Sequence, residues 1–193
     1  MKQPTKHSSK TVFANQWLEL KEDTLSLDKD TEYAYSYLVR RHDGVMVIPY
    51  FTDTDSVLMV SQYRHPIRKT IWGFPGGGRE KEQSFEDCAR QELREETGYQ
   101  AEELIDLGPY MPDAGMLGNT GRIFVAVNPT KVGEPSQHTA EETTQPEIFT
   151  LEKVKTMIAD GEIRDGWSLG PFSLFLLWLE KHDTKNAGHG ATS

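Results

Sequence analysis

One cysteine, Cys88, stands in 193 residues. A single thiol excludes an internal disulfide and suits a reducing compartment, so the chain is expected in the cytoplasm. Long hydrophobic runs are also missing: the longest, residues 171–179, falls well short of the ~20 residues a membrane helix needs. The first ten residues, MKQPTKHSSK, contain no apolar leader segment. Positive charge is scarce, with 21 Lys and Arg against 30 Asp and Glu, a formal net charge of −9. That balance excludes a basic nucleic-acid surface, and an anionic ligand would need a cation to bridge it. The histidines are scattered without ligand spacing, and there is no internal repeat. What remains is one soluble domain, long enough to bury a core.

The stretch from 76 to 99, GGGREKEQSFEDCARQELREETGY, organises the rest. Ser84 and Asp87 form a capping pair, Phe85, Ala89 and Leu93 recur at spacing four, and Gly98 supplies a C-terminal stop, which together predict a helix. At about 100° per residue, Glu92 and Glu96 fall on the face shared by Phe85, Cys88, Ala89 and Leu93, with Glu95 beside them. Carboxylates ~6 Å apart repel by roughly 2–3 kcal/mol at an effective dielectric near 20. Glu95 and Glu96 also oppose the helix dipole, for ~0.3–1 kcal/mol each. Runs like Arg94-Glu95-Glu96 are usually solvated helix faces, and the preceding Gly76-Gly77-Gly78 could be a simple flexible turn. The inward position of Glu92 and Glu96 argues otherwise: oxygen ligands without His or Cys select a hard cation, Mg²⁺ or Mn²⁺, and a glycine turn lets backbone approach it. Cys88, on the inner face, reads as a small core residue.

Around that stretch the pattern is mixed. Residues 1–11 read as a mobile head, and residues 12–27 as a hairpin or two edge strands. Tyr33, Tyr35 and Tyr37 alternate as in a strand, with an aromatic face suited to packing or to stacking a base. Residues 45–51 and 57–63 are strongly apolar strands at the sheet centre. Arg64, Arg68 and Lys69 gather near the glycine turn, where Arg64 has the fork geometry for a diphosphate. Residues 104–110 and 122–127 are strands joined by a Gly- and Met-rich loop containing Met116, which can adapt around a ligand or simply turn the chain. Residues 128–145 form a mobile loop holding Glu141 and Glu142. Helices follow at 151–159, stopped by Gly161, and at about 168–181, where Leu169, Phe172, Phe175, Leu176 and Leu179 share a face and Trp167 and Trp178 serve packing. From 182 onward a disordered tail is expected.

At Gly77 and at Glu92-Leu93-Arg94-Glu95-Glu96-Thr97-Gly98-Tyr99 the chain resembles the Nudix hydrolases, in register and without a gap. Two positions depart from the signature: Gln83 stands where a Glu, and Gln91 where an Arg, is expected. In the family these two lie close, so their joint replacement by amides removes an ion pair without stranding a charge. The N-terminal strands, the Gln-Tyr-Arg-His-Pro sequence at 62–66 and the apolar C-terminal helix resemble the ADP-ribose and nucleoside-diphosphate-sugar pyrophosphatase branch.

The resemblance implies an α+β fold of α/β/α layers, a mixed central sheet flanked by helices, with an antiparallel N-terminal strand extension at 1–42, a catalytic domain at 43–181 and the tail at 182–193. It implies a Mg²⁺-dependent (or Mn²⁺-dependent) hydrolase of nucleoside diphosphate sugars, homodimeric through its N-terminal strands. Gly76 would offer a carbonyl to the metal, with Glu92, Glu96 and Glu95 as carboxylate ligands, Glu95 and Glu96 serving catalysis and Glu142 orienting the attacking water. Arg64 would hold the diphosphate, Trp17 would stack the base, and Arg41, Gly77 and Met116 would line the substrate. Ser36 occupies a second stacking position, and the loop at 116–118 lacks a small hydroxyl and an acid, which opens guanine and uridine sugars beside adenine. A weakly catalytic nucleotide-sugar sensor and a nucleoside triphosphate house-cleaning hydrolase are the alternatives. Substituting Glu92 or Glu96 by Gln is expected to cut turnover by orders of magnitude while leaving folding intact or improved.

Overall fold

A computed structural model describes residues 3–28, 31–136 and 145–187. The chain divides into two compact units, Met1–Asp43 with Met111–Thr120, and Gly44–Tyr110 with Gly121–Ser193.

The first unit is a three-stranded antiparallel sheet, β1 (Thr5–Ala14), β2 (Leu18–Ser26) and β3 (Glu32–Arg40), in that order. The supposed mobile head is therefore strand from Thr5. Its ten residues are all exposed and show no alternation; pairing with β2 makes the strand. Asn15 closes the β1–β2 turn, its Oδ1 accepting from the backbone N–H of Trp17 (2.8 Å) and Leu18 (2.9 Å). The free edge of β3 is covered by the loop at 111–120. Leu38 N–H donates to Met116 O and Gly118 N–H to Leu38 O, each at 2.8 Å. The Asn119 amide pairs with both the N–H and the C=O of Arg40. A segment open to either reading in the sequence is thus pinned to β3 by an isolated parallel bridge between Leu38 and Leu117, which also protects an edge that would otherwise invite pairing. Gly118 permits the close approach, since a Cβ there would meet Val39 Cγ2 at 3.3 Å.

The second unit is built on a mixed sheet. Its elements are β4 (Gly44–Phe51), β5 (Ser56–Arg64), β6 (Lys69–Gly73), α1 (Phe85–Thr97), β7 (Tyr99–Gln100), β8 (Glu103–Tyr110), β9 (Gly121–Val127), β10 (Thr130–Lys131), β11 (Gln145–Thr150), α2 (Leu151–Ala159) and α3 (Gly166–Ala187). The order is β11-β5-β4-β9-β8 with β6 on β5; β4 and β9 run parallel and the other pairs antiparallel. The apolar run of β4 is explained by burial on both faces. Met46, Ile48 and Tyr50 pack with α2 and α3 residues such as Val154, Met157, Phe172 and Phe175. Val45 and Val47, pointing the other way, pack with Cys88, Ala89 and Leu93 of α1. These are the expected layers, helices on both faces of a mixed sheet. Trp167 stands edge-on to Tyr110 and Trp178 stacks on Phe175, so both tryptophans pack as expected. The expected tail at 182 begins instead as helix, since α3 continues through Ala187. Among the described residues no helix is long and apolar enough to cross a membrane.

One irregularity creates the site. Strands β4 and β5 pair only next to their shared turn, at Tyr50–Val57 and Phe51–Ser56. Beyond that point they splay, β5 turning to β6 through the register Val60–Gly73 to Arg64–Lys69. The glycine stretch after β6 fills the vacated side of β4: Val47 N–H donates to Pro75 O and Val45 N–H to Gly77 O, both at 2.9 Å.

Candidate active site

Because Pro75 and Gly77 turn their carbonyls to β4, strand alternation turns the N–H and C=O of Gly76 the other way. There the Gly76 N–H donates to Glu96 Oε2 at 2.8 Å. Next to it, Gly77 lies so close under Glu92 that a Cβ would collide with all three carboxyl atoms, meeting Cδ at 2.6 Å and Oε2 at 2.8 Å. The inward placement of Glu92 and Glu96 read from the helical wheel is therefore realised, with both carboxylates half-buried against the glycine turn. Helix α1 holds them there through its predicted ends. Ser84 Oγ accepts from Asp87 N–H at 3.0 Å, and Gly98 closes the helix at φ 74°, its N–H bonded to Arg94 O. The fully buried Leu93 and Ala89 anchor the same face. Cys88 is buried among them, and burial, aided by the charge of Glu92, pushes its thiol up to about 12, so it is an inert core residue.

Two amide chains flank the carboxylates. Gln83 Nε2 donates to Gln91 Oε1 at 2.7 Å, and Gln91 Nε2 donates to Glu95 Oε1 at 3.0 Å. The two departures from the signature are thus in direct contact, as their joint replacement implied. On the other side, Arg64 Nη2 donates to Gln62 Oε1 and Gln62 Nε2 to Glu96 Oε1, both at 2.6 Å. Arg64 is therefore tied to Glu96 through Gln62, a residue the sequence marked only as part of a shared motif. Arg79 secures the loop between glycines and helix, its Nη1 donating to Gln83 O at 2.6 Å while its guanidinium covers Phe85.

The structure brings Gly76, Gly77, Glu92, Glu96 and Arg64 into one neighbourhood. Glu95 belongs to an open cleft of about 630 Å³ along α1, shared with Gln91, Arg94, Val132, Gly133 and Ser136. Among the described residues no three acidic, histidine or cysteine side chains form a finished metal cluster, because Glu96 is turned to Gly76 and Gln62 and Glu95 to Gln91. The donor set still fits a hard divalent cation: carboxylate oxygens and a backbone carbonyl, in a cradle that a single Cβ would fill. Glu142, with its neighbour Glu141, lies outside the described residues.

In the first unit, Trp17 sits in the β1–β2 turn with 69% of its surface exposed. Arg41 braces that turn: its backbone N–H donates to Trp17 O, its guanidinium to Asn15 O at 3.2 Å, and its Nη1 pairs with Glu19 at 3.1 Å. Met116 is exposed on the pinned loop.

The NUDIX domain model matches residues 40–166. The chain is similar to the ADP-ribose pyrophosphatase of Bacillus subtilis (strain 168), 29% identical over 125 residues, 65% of this chain and 68% of that protein. It is also similar to the GDP-mannose pyrophosphatase of Yersinia enterocolitica serotype O:8 / biotype 1B (strain NCTC 13174 / 8081), 25% identical over 166 residues, 80% of this chain and 86% of that one. A crystal structure of an ADP compounds hydrolase superposes with a TM-score of 0.81 over 93% of this chain and 95% of its own, at 18% identity, a likeness of fold. With a splayed sheet, a glycine turn under two inward carboxylates, and a domain match over most of its length, the chain belongs to the Nudix family.

Proposed function

We propose that this protein hydrolyses the pyrophosphate bond of a nucleoside diphosphate sugar, giving a nucleoside monophosphate and a sugar phosphate. The observation that carries this is the convergence of Glu92 and Glu96 on Gly76 and Gly77, with Arg64 linked to Glu96. The names of the relatives, ADP-ribose and GDP-mannose pyrophosphatase, support the substrate class. Glu92, Glu96, Glu95 and the Gly76 carbonyl would hold Mg²⁺, or Mn²⁺ in its place. A bound divalent cation supplies charge neutralisation for the diphosphate and acidifies water. Arg64 adds a fixed positive charge that orients the diphosphate by its fork, Trp17 stacks the base, and Met116 and the Arg41-braced turn border the substrate. Glu142 orients the attacking water. The exposed Val12, Phe13, Trp17, Leu27, Tyr33 and Tyr35 of the N-terminal sheet support a homodimer formed through these strands. A single, reduced cysteine supports a cytoplasmic site of action.

Phosphatase-coupled phosphate release from ADP-ribose, GDP-mannose, a UDP-sugar and nucleoside triphosphates, each with Mg²⁺ and Mn²⁺, tests the proposal. Monophosphate and sugar phosphate are expected from at least one sugar; preference for triphosphates contradicts it. A second reading, a weakly catalytic nucleotide-sugar sensor, is favoured by the neutral Gln83–Gln91 contact beside Glu95. Tight binding of a sugar nucleotide without release of product would select it.

A further inference from the structure

Gln62 is a polar residue with 7% of its surface exposed, set on β5 opposite Ile71. Both ends of its amide are used. A guanidinium can only donate, so the oxygen must face Arg64; an ionised carboxylate can only accept, so the nitrogen must face Glu96. Neither contact leaves room for the flipped amide, which would oppose a donor to Arg64 and an acceptor to Glu96.

We propose that Gln62 is a positioning residue that couples the diphosphate-binding Arg64 to the cation-binding Glu96, so that occupation of either group sets the geometry of the other. The inference rests on the roles given to Arg64 and Glu96 in the proposed function. Its physical basis is a chain of two short hydrogen bonds, each to a charged group. The guanidinium polarises the amide, which strengthens its donation to Glu96 and keeps the carboxylate turned to the Gly76 amide. Without Arg64 the Gln62 amide keeps its donation to Glu96 but loses the partner that fixes and polarises its oxygen, so Glu96 is held less firmly. Arg64 also acts on a nearby cation by plain Coulomb repulsion, but that effect does not pass through Gln62 and persists when Gln62 is replaced.

A double-mutant cycle separates the two effects. Mn²⁺ alone is titrated calorimetrically into the full-length wild type, Gln62→Met, Arg64→Met and the double variant; methionine keeps the volume of glutamine without either hydrogen bond. The R64M substitution should lower Mn²⁺ affinity in the wild-type background relative to its effect in the Q62M background, a non-additivity of about threefold to tenfold. Additive effects, with wild-type Mn²⁺ binding that E96Q weakens, overturn the coupling and leave the metal site standing. Absence of Mn²⁺ binding to the wild type overturns both. Should Q62M not fold, the Gln62 side-chain amide signal in ¹⁵N spectra takes its place. It should shift on addition of Mg²⁺ in the wild type and much less in R64M; equal shifts overturn the coupling.

Discussion

Replacing Gly77 by Ala tests whether the glycine turn serves the chain or the carboxylate above it. Gly77 is not among the residues with positive φ, so alanine fits its backbone, and the loss of unfolded-state freedom contributes about 0.4–1 kcal/mol in favour of the fold. The added Cβ meets only the end of a flexible side chain, with Glu92 Cδ at 2.6 Å. To reach ordinary contact the carboxylate, whose Oε1 lies nearer still, must retreat by about 1 Å, a movement that rotamer adjustment absorbs at ~0.5–1.5 kcal/mol. The two terms nearly cancel, and the urea midpoint should stay close to that of the wild type. Turnover should not. A misplacement approaching 1 Å costs on the order of 100-fold in rate. The neighbouring Gly76→Ala is the control with the opposite signature. Its Cβ would strike the Val45 carbonyl and lie 3.1 Å from Met46 Cα, backbone atoms of a buried strand, so stability should fall by about 1–3 kcal/mol. Urea melts of both variants, with hydrolysis of ADP-ribose in Mg²⁺, decide the matter. A G77A protein with wild-type turnover refutes the placement of Glu92.

Glu92→Gln and Glu96→Gln should both cut turnover by about 100-fold or more, and the second should also destabilise. The sequence led to an expectation of unharmed or improved folding for both; Glu96, however, accepts from Gly76 N–H and from Gln62, and a glutamine there must set its NH₂ against one of those donors, costing ~1–3 kcal/mol in a melt. Trp17→Ala should raise KM for the sugar nucleotide roughly tenfold while leaving the melting temperature unchanged, since the ring is exposed; an unaltered KM removes Trp17 from the site. Ser9, with Lys6 and Tyr37, holds the Asp23 carboxyl below the ordinary aspartate range against the burial that raises it. A depressed folded-state pKa contributes stability above the unfolded value that is lost as pH falls, so the melting-temperature gap between wild type and Asp23→Asn should be full at pH 6 and narrow below about pH 4. A gap independent of pH contradicts this.

Helix α1 was legible because three local signals agree: the Ser84 cap, the spacing of Phe85, Ala89 and Leu93, and the Gly98 stop. Strand β4 was legible because burial on both faces leaves an unbroken apolar run. Strand β1 was not, since Thr5–Ala14 is exposed throughout and owes its form to pairing with β2. The pinning of the 111–120 loop depends on Asn119 meeting Arg40, 79 positions away in the chain, and no local pattern announces it. In the site, the inward carboxylates followed from helical geometry alone. The link from Arg64 through Gln62 to Glu96 did not, because the splay of β4 from β5 that brings β5 to the helix is a property of strand pairing rather than of any one segment. The division of labour between Gly76, which meets backbone, and Gly77, which meets a carboxylate, likewise needed the fold.

The central claim is that Glu92 and Glu96, turned onto Gly76 and Gly77, form the cation site. Calorimetric titration of Mn²⁺ into the wild-type, E92Q and E96Q proteins tests it most directly. Binding weakened roughly tenfold or more in each variant is the predicted result; the same affinity in all three proteins would contradict it.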